Sequence, residues 1–168
     1  MDGTERCIDD ELPFEIPESW CWCKIRNIFT LQAGKNIQAA EIHENPFPGS
    51  YPCYGGNGIR GYVAKSNRSG DYPIIGRQGA LCGNINRGTG KFYATEHAVC
   101  VETYSGVNVT WACLFLTALN LNQFATATAQ PGLAVTNINE VFIPLPPLNE
   151  QQRIVQKIEE LLPLVKSL

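Results

Sequence analysis

The sequence predicts an α+β fold: a single globular domain with a small curved or barrel-like sheet and a C-terminal, heptad-patterned helix. Three observations carry this reading. Between Tyr51 and Glu102, short apolar runs alternate with Gly, Asn and Pro clusters, the signature of short strands joined by turns. From Asn108 to Leu119 the apolar period becomes helical. After Pro146–Pro147, the apolar positions Ile154, Ile158, Leu161 and Val165 are spaced four, three and four, with Val155 and Leu162 widening the stripe.

The elements follow in order. Residues 1–19 read as an acidic linker ending in Pro13-Phe-Glu-Ile-Pro-Glu-Ser19. Trp20 to Leu31 alternates apolar and polar residues and predicts a strand leading into a short helical turn, ended by Gly34. Residues 35–50 are mixed, with a turn at Asn45-Pro-Phe-Pro-Gly49. Tyr51 to Val63 predicts a strand, a glycine loop and a second strand. Asp71–Gly76, Ala80–Ile85, Lys91–Ala94 and Ala98–Glu102 predict four more short strands. A buried helix follows from Asn108, residues 120–137 are small and polar, and Asn139–Pro144 predicts a last strand. Prolines 146 and 147 stop that strand. Asn149 as N-cap with Gln152 three residues on predicts a helix from Glu150, roughly 28 Å long at about 1.5 Å per residue.

The 168 residues are 44% hydrophobic and 17% charged, enough to bury one core. No apolar run approaches the roughly 20 residues of a membrane span. The segment Met1–Glu11 is acidic and lacks the basic start and apolar stretch of a signal peptide. Seven cysteines without a Cys-x-x-Cys pair argue against a disulfide framework and a zinc knuckle, and predict reduced thiols in a cytoplasmic protein. No metal and no cofactor is expected to belong to the chain. His43 and His97 have no ligand-like neighbours.

Net charge is −3, which alone speaks against a nucleic-acid partner, but the charge is segregated. Residues 1–23 carry seven acids and one base; residues 24–91 carry nine bases and three acids; residues 92–168 carry three bases and six acids. A basic block rich in Gly, Asn and Tyr lies between acidic flanks. It fits either a solvated mixed surface or a polyanion partner.

Gly56-Asn-Gly-Ile-Arg-Gly61 matches G-x-G-x-x-G, but no helix has room to follow it before Gly70 and Pro73, so a dinucleotide site is excluded. Gly76-Arg-Gln-Gly79 and Gly83-Asn-Ile-Asn-Arg-Gly-Thr-Gly90 place a base or an amide at the tip of a glycine-flexed loop. Arg matches the major-groove edge of guanine, and Asn and Gln that of adenine. Ordinary turn chemistry explains the same residues equally well. No nucleophile elbow and no nuclease-type acid cluster is present; Asp71, Glu96 and His97 are the only mid-chain groups suited to a chemical test.

Several motifs together resemble one target-recognition domain of the specificity (S) subunit of bacterial type I restriction–modification enzymes. They are Pro13-Phe-Glu-Ile-Pro-Glu-Ser-Trp-Cys-Trp22, Tyr54-Gly-Gly-Asn-Gly-Ile-Arg-Gly-Tyr62, Ile74-Ile-Gly-Arg-Gln-Gly-Ala-Leu-Cys-Gly-Asn84, Ala129-Gln-Pro-Gly-Leu133 and Ile143-Pro-Leu-Pro-Pro-Leu-Asn-Glu-Gln-Gln-Arg-Ile-Val155. The last is the most specific. The resemblance implies an acidic linker over 1–19, a recognition domain over 20–147 and the start of a spacer and docking helix over 148–168.

It further implies a non-catalytic module that reads one half of a split double-stranded DNA target. Methyltransferase (M) subunits, which bind S-adenosylmethionine, and restriction (R) subunits are the implied partners, together with a second S domain or copy through the terminal helix. A single domain with a short helix implies a half-size subunit or part of a larger protein. The residues expected at DNA are Lys35, Tyr54, Asn57, Arg60, Tyr62, Arg77, Gln78, Asn84, Asn86, Arg87 and Gln130, with Arg77 and Arg87 foremost. Those expected at the partner helix are Gln151, Ile154, Val155, Ile158, Leu161, Leu162 and Val165. Two other readings compete: a module that occupies the M subunits without reading DNA, as an antirestriction protein would, and a methyltransferase remnant.

Overall fold

The computed structural model describes residues 12–79, 81–126 and 131–166. Among these residues eight strands form two sheets. The chain enters through β1 (Cys21–Lys24), makes one turn of helix α1 (Ile25–Ile28) and continues as β2 (Phe29–Ala33). A 3-10 turn at Ala39–Glu41 precedes β3 (Tyr51–Gly55) and β4 (Gly58–Val63), which form a tight hairpin. Then come β5 (Arg68–Gly76), β6 (Ile85–Ala94), β7 (Ala98–Thr103) and α2 (Val109–Ala118). A 3-10 turn at Leu121–Phe124, the short helix α3 (Val135–Asn139), β8 (Phe142–Leu145) and α4 (Leu148–Lys166) complete the described chain.

The larger sheet has the order β2-β7-β5-β6-β3-β4, all neighbours antiparallel except β3 and β6. It is curved but open. Strands β2 and β4 are its two edges, so the barrel-like closure that the sequence suggested does not form. The curvature is steep in the β5–β6 ribbon. Arg68 begins β5, yet its Nη2 donates to Gln32 Oε1 at 2.7 Å, and Gln32 pairs with Cys100, itself opposite Ile74 of the same strand. Pro73 lies inside β5 because pairing with β7 begins one residue later, at Ile74, so its missing N–H is not demanded by a second neighbour.

Three sequence assignments are corrected. Lys91–Ala94 is the end of a ten-residue strand, because the Asn-Arg-Gly-Thr-Gly run that reads as a turn pairs residue by residue with β5. Of Ala80–Ile85, residues 81–83 form a turn, and β6 starts only at Ile85. Asn139 closes α3, and the last strand begins at Phe142. The smaller sheet is β1 against β8, in which Pro144 faces Trp22.

Alternation along β7 sends side chains to two cores. Val99 and Val101 meet Ile75, Trp111, Ala112 and Leu116 under the helical layer, while Ala98 and Cys100 meet Tyr54, Ile74 and Phe92 on the other face. Asn108 caps α2, its Oδ1 accepting from Trp111 N–H at 3.0 Å.

Helix α4 begins at Leu148, two residues earlier than expected: the Pro147 carbonyl accepts from both Glu150 and Gln151 N–H, which places Asn149 inside the first turn. Gln151 is buried. Its Nε2 donates to the carbonyls of Pro146 (2.9 Å) and Gly106 (3.1 Å), and its Oε1 accepts from Asn108 N–H (2.8 Å). Ile154 and Val155 pack against the larger core, Ile158 is half-buried, and Leu161, Leu162, Leu164 and Val165 are exposed.

Candidate nucleic-acid interface

Four connections meet at one rim of the larger sheet: the β2–β3 segment at Gly34–Lys35, the β3–β4 tip, the β5–β6 connection and the β6–β7 turn. They meet because the backbone is bare there. A Cβ on Gly76 would lie 1.9 Å from the Gly56 carbonyl oxygen, so only glycine lets the tip rest on the end of β5. Gly58 closes the hairpin with φ +90°, a conformation L side chains avoid, and a Cβ there would sit 2.9 Å from Asn86 Oδ1. The rim is pinned from behind by Asn67, which the sequence reading passed over. Its Oδ1 accepts from Ala94 N–H and its Nδ2 donates to the Ala94 carbonyl, both at 2.8 Å.

Seven of the expected DNA residues gather here. Asn84 Nδ2 donates to Asn57 Oδ1 at 3.2 Å, and Asn86 lies under Gly58. Arg60 is exposed and runs along Gly55. Arg77 N–H donates to the His97 carbonyl at 2.9 Å, and Gln78 follows it, its own carbonyl against Gly56. Lys35 is exposed and its N–H donates to the Ala94 carbonyl at 3.0 Å. The ion pairs among the described residues engage Lys24, Arg26, Lys65, Arg87, Arg153 and Lys157. They leave Lys35, Arg60 and Arg77 without a carboxylate partner.

The remaining four lie elsewhere. Tyr54 is buried: its ring meets Phe92 edge-on and its hydroxyl donates to the Arg87 carbonyl at 3.1 Å, so it is core rather than an outward donor. Burial also raises its phenol above the ordinary range. Tyr62 lies further along β4, where its backbone pairs with His43.

Arg87 is not a free cation. Asp71 takes its Nε and Nη2 at 2.7 and 2.6 Å, and its Nη1 donates to Thr110 of α2 at 3.1 Å. The bidentate hydrogen bond holds the Asp71 carboxyl below, and the Arg87 guanidinium above, their usual values. Gln130 lies outside the described residues, as does Ala129 of the Ala129–Leu133 motif.

Of the residues expected at the partner helix, Gln151 faces inward through the three bonds given above, and Ile154 and Val155 contribute to the larger core. Ile158, Leu161, Leu162 and Val165 remain accessible.

Among the described residues no cluster of three His, Cys, Asp or Glu side chains suits a metal. Burial, with Cys21 as a smaller contribution, pushes the Cys23 thiol up to about 11, which keeps it protonated at neutral pH. No described helix is long and apolar enough to cross a membrane.

Amides and cations without a carboxylate partner among the described residues thus share one rim of the larger sheet. A family model, the type I restriction modification DNA specificity domain, matches residues 17–165, and the chain belongs to that family. It is 46% identical over 142 residues to the type I restriction enzyme EcoprrI specificity subunit of Escherichia coli, covering 84% of this chain and 35% of that protein. It is 28% identical over 122 residues to a putative type I restriction enzyme specificity subunit of Haemophilus influenzae, covering 71% and 32%.

The chain thus spans about a third of the length of these relatives. Its fold matches the crystal structure of the type I restriction-modification S subunit from M. genitalium with a TM-score of 0.72 at 17% identity, over 87% of this chain and 40% of that one. It matches the HsdS subunit from Thermoanaerobacter tengcongensis with a TM-score of 0.71 at 19% identity, over 92% and 40%.

Proposed function

We propose that this chain is a non-catalytic, cytoplasmic module that reads one half of a bipartite double-stranded DNA target for a type I restriction–modification enzyme. The observation that carries the reading is the convergence of Asn57, Arg60, Arg77, Gln78, Asn84 and Asn86 at one glycine-lined rim, with Lys35 beside them. Cations there supply sequence-independent attraction to phosphate, and amides held on strand ends supply base readout.

Residues 20–147 form the recognition domain in this reading, 1–19 the acidic linker and 148–168 the start of the spacer helix. The exposed end of α4 docks M subunits or a second specificity domain, and R subunits join through the assembled complex. S-adenosylmethionine and the catalytic residues belong to the M subunits.

The test is selection from a randomised duplex pool followed by titration of the selected duplex. Arg77→Ala is expected to weaken binding about tenfold or more, and Asn84→Ala to relax one position of the selected motif. Wild-type affinity and an unchanged motif in both variants would refute the reading.

A further inference from the structure

Lys35 and Arg77, two of the rim cations without a carboxylate partner, are fastened to one turn, that between β6 and β7. Lys35 N–H donates to the Ala94 carbonyl where the turn begins, and Arg77 N–H donates to the His97 carbonyl near its end, at 3.0 and 2.9 Å. The two attachments are secured differently. The later part of the turn is tied by backbone alone: Thr95 N–H donates to the Tyr54 carbonyl and Ala98 N–H to the Thr95 carbonyl, both at 3.0 Å. Ala94 depends on a side chain. The Asn67 amide offers it an acceptor and a donor together, as the peptide groups of a neighbouring strand would, at 2.8 Å each. Asn67 is itself fixed at the head of β5, its own N–H donating to the Phe92 carbonyl at 3.1 Å. Ala94 is 0% exposed, so water does not stand in for the amide.

The Ala94 carbonyl thus accepts from two donors, Asn67 Nδ2 and Lys35 N–H. The segment bearing Lys35 rests directly on it: a Cβ on Gly34 would lie 2.1 Å from the Ala94 carbonyl oxygen. No side chain cushions that contact, so the orientation of the carbonyl is passed straight to the Lys35 backbone.

We infer that Asn67 is a positioning residue for DNA binding: its amide fixes the two peptide planes that meet at Ala94, and through the shared carbonyl it holds Lys35 where its ammonium meets a phosphate. The inference rests on the DNA-reading function proposed above. A lysine on a loose segment attracts the duplex only as diffuse charge. A direct contact that releases a counterion needs the origin of the lysine stem fixed, because phosphates stand at set intervals along the strand. Asn67 itself touches no DNA and reads no base.

The experiment is titration of the full chain, over a range of salt concentrations, with the duplex that wild type selects from a randomised pool. The variants are Asn67→Ala, Lys35→Ala, Arg77→Ala, and Asn67→Ala combined with each of the other two. Lys35→Ala is expected to weaken binding about three- to tenfold and to reduce the slope of log K against log salt by about one. Asn67→Ala should do the same and leave the selected motif unchanged. Combined with Lys35→Ala it should cost nothing further, whereas combined with Arg77→Ala both losses should appear in full. A side chain that served the fold alone would lower the melting temperature and leave the salt slope and this coupling unmoved.

Asn67→Asp decides the matter if Asn67→Ala fails to fold. It keeps the shape and the acceptor for Ala94 N–H but turns an anionic oxygen to the carbonyl. Its loss of affinity should shrink in the Lys35→Ala background, which repulsion of phosphate by the added charge alone would not do. A wild-type slope in the folded Asn67 variants, or full additivity with Lys35→Ala, overturns the inference while leaving DNA reading intact. A wild-type chain that binds no duplex overturns both.

Discussion

Removing the Gln151 side chain should unfasten α4 from the domain, and the structure gives the size of the effect. Three backbone groups depend on this one amide: Asn108 N–H, and the carbonyls of Gly106 and Pro146. Gln151 is 1% exposed, so Gln151→Ala leaves them facing a hole rather than bulk water. At about 1 kcal/mol net for each bond, plus the penalty of leaving a buried N–H unpaired, the loss should be about 3–5 kcal/mol. A domain of this kind has about 5–15 kcal/mol in total.

The damage should spread to α2, because the residue whose N–H is lost, Asn108, also caps that helix through Oδ1. Gln151→Glu should be no milder at neutral pH. It keeps the acceptor for Asn108 N–H but sets an anionic oxygen against the two carbonyls. Urea denaturation followed by circular dichroism measures both variants against wild type. A midpoint shift worth less than about 1 kcal/mol for Gln151→Ala would mean that water replaces the amide freely, and that the junction is not the anchor described above.

The exposed half of α4 should behave oppositely: Ile158→Asp or Leu161→Asp should leave the melting transition within a few degrees of wild type while abolishing self-association or M-subunit binding, read by light scattering, whereas Ile154→Asp should destabilise the fold outright. Arg87→Ala should lower stability modestly and leave the selected DNA motif unchanged, since its guanidinium is already engaged by Asp71 and Thr110; a loss of DNA binding equal to that of Arg77→Ala would contradict that placement. On the acid side, Asp71, Glu41, Glu140 and Glu150 all titrate below their ordinary range because Arg87, Lys65, Lys24 and Arg153 bond to them. Their folded values are depressed, so the linked stability is complete above the unfolded carboxylate range and is lost as pH falls below about 4; a midpoint flat from pH 6 to pH 3 would exclude this linkage.

Where local pattern and tertiary demand agreed, the sequence was legible. The β1–α1 entry, the β3–β4 hairpin and α2 follow from spacing and turn chemistry within about a dozen residues, whereas strand β2 and the Asn108 cap were not foreseen. The first half of strand β6, Ile85–Gly90, was missed because it has turn composition; only its pairing with β5 makes it a strand. Helix α3 was missed because Val135–Asn139 has one buried residue, Ile138, too few to show a period.

The candidate rim was half legible. Loop-borne Arg and Asn could be picked out by type, but their pairing could not. Nothing local distinguishes Arg77, without a carboxylate, from Arg87, clamped by Asp71 sixteen positions away. Tyr54 was misjudged for the same reason: its ring belongs to a core assembled from β3, β5, β6 and β7. Glu96 stood out in the sequence only as a group suited to a chemical test; that its Oε2 is buried without a hydrogen-bond partner appears only in the structure.

The segregation of charge gains a structural meaning from these placements. Of the nine bases in residues 24–91, Lys24, Arg26, Lys65 and Arg87 are neutralised within the domain, and Arg68 is turned to Gln32. Composition therefore overstates the cationic surface. What remains at the rim is Lys35, Arg60 and Arg77, too few for tight binding to DNA of arbitrary sequence at physiological salt. A module with three such cations depends on base contacts, or on phosphate contacts contributed by a partner, to hold its target. The salt dependence of binding measures this directly: about three phosphate neutralisations should give a slope near −3 in log K against log salt for the chain alone, steeper once M subunits are bound. A slope of −6 or beyond for the chain alone would mean that bases paired within the fold are released to the duplex, and that the ion pairs described above do not persist in the complex.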